Sequence, residues 1–393
     1  MSESSLTVLQ VIPRMGFGEA EKDTLEYALA LKEAGGYPIV VSAGGLPEKN
    51  GMPSGLIVEL RRQGIEHVEM PVDSKNFFKM FLNAFRLARL IKKRHVDVIH
   101  ARSRAPAWSA RLAAKKTGAP FATTFYGPYS LGFLKLKRFY NAVMTKSDTV
   151  VTSSDFIKKH VMETYKVPAE KIAVLPPGID ETRFDVTKIS MDRMIFQANK
   201  WHIPDDLSII VYPAPLSKNK GQTLLLKAIS KMKNRRVHCF FIGRAKHEAN
   251  VKKFLKKARQ TGVEAQVQFI EEDVCSETAY AMADTVVYVP ERDEAFSRTV
   301  LEAQAMSRIV VASDNGGIGE SVRNGVSGFV TAAKDADSLA ETLDKVLALT
   351  FDERQKITRT AKSDLLKKHA RKNTHAAIVG FYQSLLKKKA RTT

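Results

Sequence analysis

At 393 residues the chain exceeds what one hydrophobic core comfortably organises, and its 44% apolar content supplies two cores of ordinary domain size. Sixty-two Lys and Arg against 42 Asp and Glu leave a net charge of +20, which favours anionic partners such as phosphates, nucleic acid or acidic lipid. Two cysteines exclude a disulfide framework and a cysteine zinc site, and no run approaches the roughly 18 apolar residues of a membrane-spanning helix. The opening stretch "MSESSLTVLQVIP" lacks the charged start and apolar segment of a signal peptide, so a cytoplasmic protein is expected, meeting a membrane only from its surface.

Taken in chain order, the strand-like runs are "LTVLQVIP", "YPIVVSAG", "HVEMPV", "VDVIHAR", "PFATTFYG" and "DTVVTSS". Helical patterns such as Glu21 to Ala34 lie between them. The segment "VLPPGIDETRF" stops regular structure and suits a connection. A second set follows: "LSIIVYPAP", "HCFFIGR", "VQFIEE", "TVVYVPE", "RIVVASD" and "GFVTAA". Strands alternating with helices predict parallel sheets. The expectation is an α/β chain of two tandem Rossmann-like domains, 1–180 and 181–372, facing across a cleft, followed by a C-terminal helix and basic tail over 373–393. In such sheets ligands bind beyond the strand carboxyl ends, so the site should draw on loops.

Four loops carry candidate chemistry. "PRMGFGEAEKDTLE" joins the first strand to the first helix, with Gly16 and Gly18 permitting close approach of an anion to backbone N–H groups. Glu19 and Glu21 bring negative charge to the same turn, and the third glycine of a dinucleotide fingerprint is missing, so anion site and plain tight turn both stand. "YPAPLSKNKGQ" follows a buried strand and offers Lys220. "ERDEAFSRTVLEAQAM" spaces Glu294 and Glu302 by roughly 12 Å if wholly helical, too far for a glycosidase pair at about 5 to 9.5 Å. That spacing suits a grip on two ends of one extended ligand, or simply a helix-start acid and a solvated helix acid. "ASDNGGIGESV" offers free N–H groups at Gly316 and Gly317, or a structural turn.

The stretch from Glu294 to Glu302 with "AQAM" after it, "SDNGGIGESV", "GVSGFV", "KGQ", "LQVIPRMGFGEAE", "DVIHARSRAPAW" and "LPPGID" together resemble a family-4 retaining glycosyltransferase of the GT-B fold, in its bacterial lipopolysaccharide-core and surface-polysaccharide branch. The resemblance runs nearly end to end. It implies a C-terminal helix crossing back to the N-terminal domain, and a nucleotide-diphosphate sugar held mainly by the C-terminal domain with a glycan or glycolipid acceptor on the N-terminal side. It implies that Glu294 holds donor-sugar hydroxyls, Glu302 the ribose, backbone N–H groups at Phe296 and Ser297 the sugar or diphosphate, and Gly243 the base. Gly18, Gly316 and Gly317 belong to the same donor site, and Tyr126, Arg102 and Arg104 to the acceptor side. Lys220 would neutralise charge growing on the departing diphosphate. No metal, no cofactor and no dedicated protein nucleophile are implied.

Four positions depart from the family pattern: Glu19 for a second glycine, Tyr126 for a histidine, Ser297 for a glycine, and Pro215 for an arginine. Proline offers neither the charge nor the paired donors of a guanidinium; Lys218, Arg244 and Arg298 are the cations at hand to replace it. A catalytically degenerate or donor-shifted paralogue, acting as a binding or scaffold protein, is therefore the alternative function.

The basic residues are dispersed along the chain, but two segments combine them with aromatics. Ser74 to His95 places Phe77, Phe81, Leu82 and Phe85 near one face with Lys and Arg beside them, either a helix packing on its own sheet or one lying at an anionic membrane. Ser130 to Lys146 is the second, and Lys387 to Arg391 adds a basic tail. Reversible contact with anionic membrane is expected. Nucleic acid is not, since no DNA- or RNA-binding module is present.

Overall fold

The computed structural model describes residues 5–49, 52–129, 137–203, 206–245, 247–272 and 276–390. The chain divides into two compact units, Met1–Pro177 with Lys372–Thr393, and Gly178–Arg371.

The first unit contains strands β1 (Thr7–Val11), β2 (Tyr37–Ser42), β3 (Leu46–Lys49), β4 (Met52–Ser54), β5 (Glu66–Glu69), β6 (Val98–Ala101), β7 (Phe121–Phe125), β8 (Thr149–Thr152) and β9 (Ile172–Val174). Its helices are α1 (Glu19–Glu33), α2 (Ile57–Arg62), α3 (Phe77–Lys93), α4 (Arg104–Thr117), α5 (Lys137–Asn141) and α6 (Asp155–Tyr165). Seven strands form one sheet in the order β5-β2-β1-β6-β7-β8-β9, every pairing parallel. Continuous apolar runs such as Ile39-Val40-Val41 are what such a sheet requires, because helices cover both of its faces. Two features lie outside the sequence reading: β9 at the sheet edge, and the antiparallel β3–β4 hairpin.

The second unit repeats the plan. It contains α7 (Met191–Trp201), β10 (Ser208–Pro213), α8 (Gln222–Lys231), β11 (Val237–Ile242), α9 (Glu248–Gln260), β12 (Val267–Ile270), α10 (Glu277–Met282), β13 (Thr285–Tyr288), α11 (Arg298–Ala305), β14 (Ile309–Ser313), β15 (Phe329–Thr331), α12 (Ala336–Leu347) and α13 (Phe351–His369). The sheet order is β12-β11-β10-β13-β14-β15, again all parallel. In both units strand order reverses beside the first strand, between β1 and β6 and between β10 and β13. A crevice opens at such a reversal, at the strand carboxyl ends.

The last helix, α14 (Arg371–Ala390), belongs to the first unit from Lys372 onward. Ile378, Phe381, Tyr382 and Leu385 pack on Val8, Tyr27, Leu31, Val98 and Val151, and the buried Tyr382 hydroxyl lies 2.8 Å from His100 Nδ1. His375 bonds Glu26 and Glu33 of α1 at 3.0 and 2.7 Å. The helix thus supplies part of the first unit's core.

Candidate functional site

The crevice of the second unit is built by the loops after β10 and β13. Tyr212, near the end of β10, donates its hydroxyl to the Lys220 carbonyl and so pins the loop that precedes α8. Gly221 sits at φ +85°, where a Cβ would lie 2.0 Å from the Val289 carbonyl oxygen, so only glycine allows this loop to press on the end of β13. The loop delivers Lys220 to Glu294: Nζ is 2.6 Å from Oε1 and 3.4 Å from the Tyr288 hydroxyl. Tyr288 donates to the other carboxylate oxygen at 2.5 Å. Lysine, phenol and carboxylate form one hydrogen-bonded group in which Lys220 keeps 30% of its side chain exposed.

The Gly-Gly turn after β14 supports that group. Gly316, at φ +63°, pairs with Glu294 as an isolated bridge, and Gly317 donates its N–H to the Glu294 carbonyl at 2.8 Å. The Gly317 amide is thus committed, a correction to its expected donor contact, and its work is to hold the Glu294 backbone. Asn315, beside it, donates to the Pro290 carbonyl.

Gly243, expected at the base, has a structural duty as well. Its N–H is spent on the Ile270 carbonyl at 3.0 Å, and a Cβ there would lie 2.3 Å from the Ala214 carbonyl oxygen. This glycine lets the loops after β10 and β11 touch. Ser297 is buried and caps α11, its Oγ accepting from Val300 N at 3.3 Å. A helix start gains from serine what glycine cannot give, which accounts for that departure. The neighbouring Phe296 ring lies 5.5 Å from the His369 ring. Glu302 is half-buried one turn into α11 and accepts from the Tyr280 hydroxyl at 2.6 Å. Because Glu294 to Ser297 precede the helix, the two glutamates stand on different kinds of backbone.

Of the cations near Pro215, Arg298 is buried and donates to the Gly178 carbonyl at 3.0 Å. Lys218 lines, with Lys253, Lys256 and Lys257, a groove of about 650 Å³ beside α8 and α9 that Lys220 does not line. Pro215 is exposed, and its carbonyl accepts from Gln222 at 2.8 Å. Among the described residues no group of three or more His, Cys, Asp or Glu has the arrangement of a metal site, and no helix is long and apolar enough to cross a membrane.

The first unit's crevice is filled differently. Arg102, directly after β6, is fully buried. Its Nε reaches Gln10 Oε1 at 3.0 Å, and Nη1 reaches Thr124 Oγ1 at 3.3 Å and the Tyr126 hydroxyl at 3.0 Å. The guanidinium lies over the Tyr27 ring at 3.8 Å. Burial works against its charge, but Tyr126, Tyr382, Tyr27 and Asp23 outweigh that and hold its pKa above the ordinary arginine value. The sequence reading expected Arg102 on the acceptor side; fully buried and bonded to Tyr126, its side chain offers an acceptor no exposed surface. Arg104 is half-buried, donates to Asn141 at 3.0 Å and lies over the Tyr129 ring.

At the start of α1, Gly18 is extended and not left-handed. A Cβ there would meet Glu21 Oε2 at 2.5 Å, because the Glu21 carboxylate folds back over the turn. Burial raises the Glu21 pKa, partly offset by a bond from its own N–H. A second anion at this turn would meet that carboxylate, which corrects the expectation of a donor contact at Gly18.

Two family models match the chain, "Glycosyltransferase Family 4" over residues 20–183 and "Glycosyl transferases group 1" over residues 194–364. A crystal structure of a glycosyltransferase from Rickettsia africae is 33% identical, with 98% of this chain and 99% of that chain covered at a TM-score of 0.89. This chain belongs to the GT-B glycosyltransferases of family 4 and group 1. Anabaena HepE, solved in complex with UDP and with UDP-glucose, shares the fold at 18% identity and a TM-score of 0.81 in the latter complex, over 96% of this chain and all of that one. Among curated relatives, the lipopolysaccharide 1,2-N-acetylglucosaminetransferase of Salmonella typhimurium is 27% identical over 57% of this chain. The first curated relatives are matched over only about 60% of their own length.

The sequence reading missed Tyr288, Tyr212 and Tyr280. All three complete apolar strand or helix patterns, and only the fold shows that their hydroxyls bond the Lys220 carbonyl, Glu294 and Glu302.

Proposed function

We propose that this chain is a retaining glycosyltransferase that moves a sugar from a nucleoside diphosphate to a membrane-associated glycan or glycolipid, in the assembly of lipopolysaccharide or another surface polysaccharide, at the cytoplasmic side. The observation that carries this reading is the Lys220–Glu294–Tyr288 group at the reversal between β10 and β13.

When the bond between the anomeric carbon and the phosphate oxygen breaks, negative charge grows on the departing diphosphate. A preorganised ammonium stabilises that charge most when it is already in place. In this reading the diphosphate draws Lys220 Nζ away from Glu294, and the freed carboxylate oxygen accepts from donor-sugar hydroxyls. Tyr288 keeps the other oxygen fixed. Glu302 accepts from the ribose, and N–H groups at Phe296 and Ser297 face the sugar or diphosphate. The acceptor is assigned to the first unit, near Tyr126 and Arg104. Lys220 supplies the counter-charge, so neither metal nor cofactor enters the scheme.

Pro215 favours a second reading. With no guanidinium at that position, a non-catalytic or donor-shifted paralogue would bind its nucleotide weakly or choose another one. Calorimetric titration with UDP-, GDP-, ADP- and TDP-sugars separates the two, followed by a donor-hydrolysis assay on any that binds. Binding and turnover of one donor support the transferase, and silence across the panel supports the paralogue.

A further inference from the structure

Helix α3 does not bury the face that its sequence offers. Met80, Ala84, Leu87, Ala88 and Ile91 pack inward, with Asn83 donating to the Pro71 carbonyl at 2.8 Å and Ser109 of α4 donating to the Met80 carbonyl at 3.0 Å. This leaves Phe77, Phe78, Phe81, Leu82 and Phe85 in solvent, Phe78 with 88% of its surface exposed. Five large apolar side chains on one helix end are costly to expose without a partner.

The patch extends beyond α3. The Phe77 ring meets Trp108 of α4 edge-on at 6.5 Å, and Trp108 stacks on Tyr140 of α5 at 6.3 Å. The next residue back, Phe139, is 80% exposed. Two aromatic segments far apart in sequence therefore meet through Trp108 in one ridge, all of it within the first unit. Residues 130–136 of the second segment lie outside the described residues.

Charge selects the partner. Helix α3 carries five Lys and Arg, α4 four and α5 two, and none of the three carries an acid. Lys116 lies 3.8 Å over the Phe85 ring, so cations flank the apolar rings closely. A second copy of the chain would bring the same cations together, and an apolar ridge gives nucleic acid little to read. An anionic bilayer satisfies both parts, taking the rings into its interfacial layer and the cations among its headgroups.

We infer that the ridge formed by α3, Trp108 and α5 is a membrane-docking surface that inserts Phe77, Phe78, Phe81, Phe85 and Phe139 into an anionic phospholipid bilayer. This holds whatever sugar is transferred, and failure of the donor titration above would leave it standing.

The test is sedimentation of the full chain with vesicles of phosphatidylglycerol mixed with phosphatidylcholine, and with phosphatidylcholine alone. Binding to the anionic vesicles should be at least tenfold tighter and should weaken as salt shortens the Debye length from about 10 Å to about 3 Å. The Phe78→Ser/Phe139→Ser variant should lose about a hundredfold in affinity, roughly tenfold per ring, with its thermal midpoint unchanged because both rings are exposed. Lys79→Glu/Arg89→Glu, which leaves the rings in place, should lose at least about twentyfold. Acyl-brominated lipid should quench tryptophan emission in the wild type and fail to do so in Trp108→Phe, since the remaining Trp201 is buried in the other unit. Equal binding to both vesicle types, or undiminished binding by both variants, would overturn the inference. So would a wild-type dimer that the phenylalanine variant dissolves, or binding to a single-stranded oligonucleotide without binding to vesicles.

Discussion

The two units share the order of six sheet strands and each places a cation at its reversal, but one cation is buried and the other partly open. In the first, Arg102 is fully buried, bonded to Gln10, Thr124 and Tyr126 and stacked over Tyr27. In the second, Lys220 remains partly open and is paired with the Glu294 carboxylate. Topology creates the crevice, and burial decides whether the cation in it can be reached from solvent. A sealed arginine fixes geometry because removing it strands its acceptors; an accessible lysine can follow charge as it develops.

Substitutions at the two cations test that contrast most directly. Arg102→Ala should cost about 3 to 5 kcal/mol of stability, because Gln10 and the Tyr126 hydroxyl are left buried beside an empty site. Thermal melts should show this loss, while nucleotide binding by the second unit stays near wild type wherever the protein is folded. Lys220→Ala should do the reverse, lowering kcat/KM by about a hundredfold or more with little change in melting. If Lys220→Ala melts early, or Arg102→Ala abolishes activity in a fully folded protein, the distinction fails. Pro215→Arg sharpens it: a guanidinium added at an exposed loop position should tighten UDP-sugar binding by about tenfold in calorimetry. Ser297→Gly should cost only a few tenths of a kcal/mol through the loss of its cap, visible as a slightly lower midpoint.

The smallest effect is at His375. Burial lowers its pKa, but the bonds to Glu26 and Glu33 outweigh that and raise it above the ordinary 6.5. The stabilisation from the charged imidazole is therefore complete below the unfolded value and is lost as pH rises through the folded one. The gap in melting temperature between wild type and His375→Gln should be widest near about pH 6 and should close by about pH 9. A gap independent of pH would remove the charge from the account.

Sequence patterning carried most of this fold because a strand buried on both faces reads as an unbroken apolar run. All twelve such runs became strands of the two main sheets. Strand β9, only Ile172–Val174, sat too close to the Pro-Pro-Gly stop to register, and the β3–β4 hairpin includes proline and no clean alternation. At the site, Lys220 and Glu294 were legible as charged residues on loops after strands, and Glu302 as an acid on the helix that follows. Arg102 was not legible as buried, since a one-dimensional pattern cannot say that the ends of β1 and β7, on either side of its own strand, will supply its acceptors. Gly317 was read as a free N–H, whereas its amide is committed to the Glu294 carbonyl, a pairing between loops that no local pattern announces.

Helix α14 carries a consequence for biosynthesis. The contact between His100 and Tyr382 spans 282 positions of sequence, and everything from Gly178 to Arg371 is translated in between. On the ribosome the second unit emerges whole and can fold while the first still waits for Ile378, Phe381 and Tyr382. The unit that is synthesised first is thus completed last, and until then Val8, Val98 and Val151 lack their cover and offer an apolar surface for chaperones to hold.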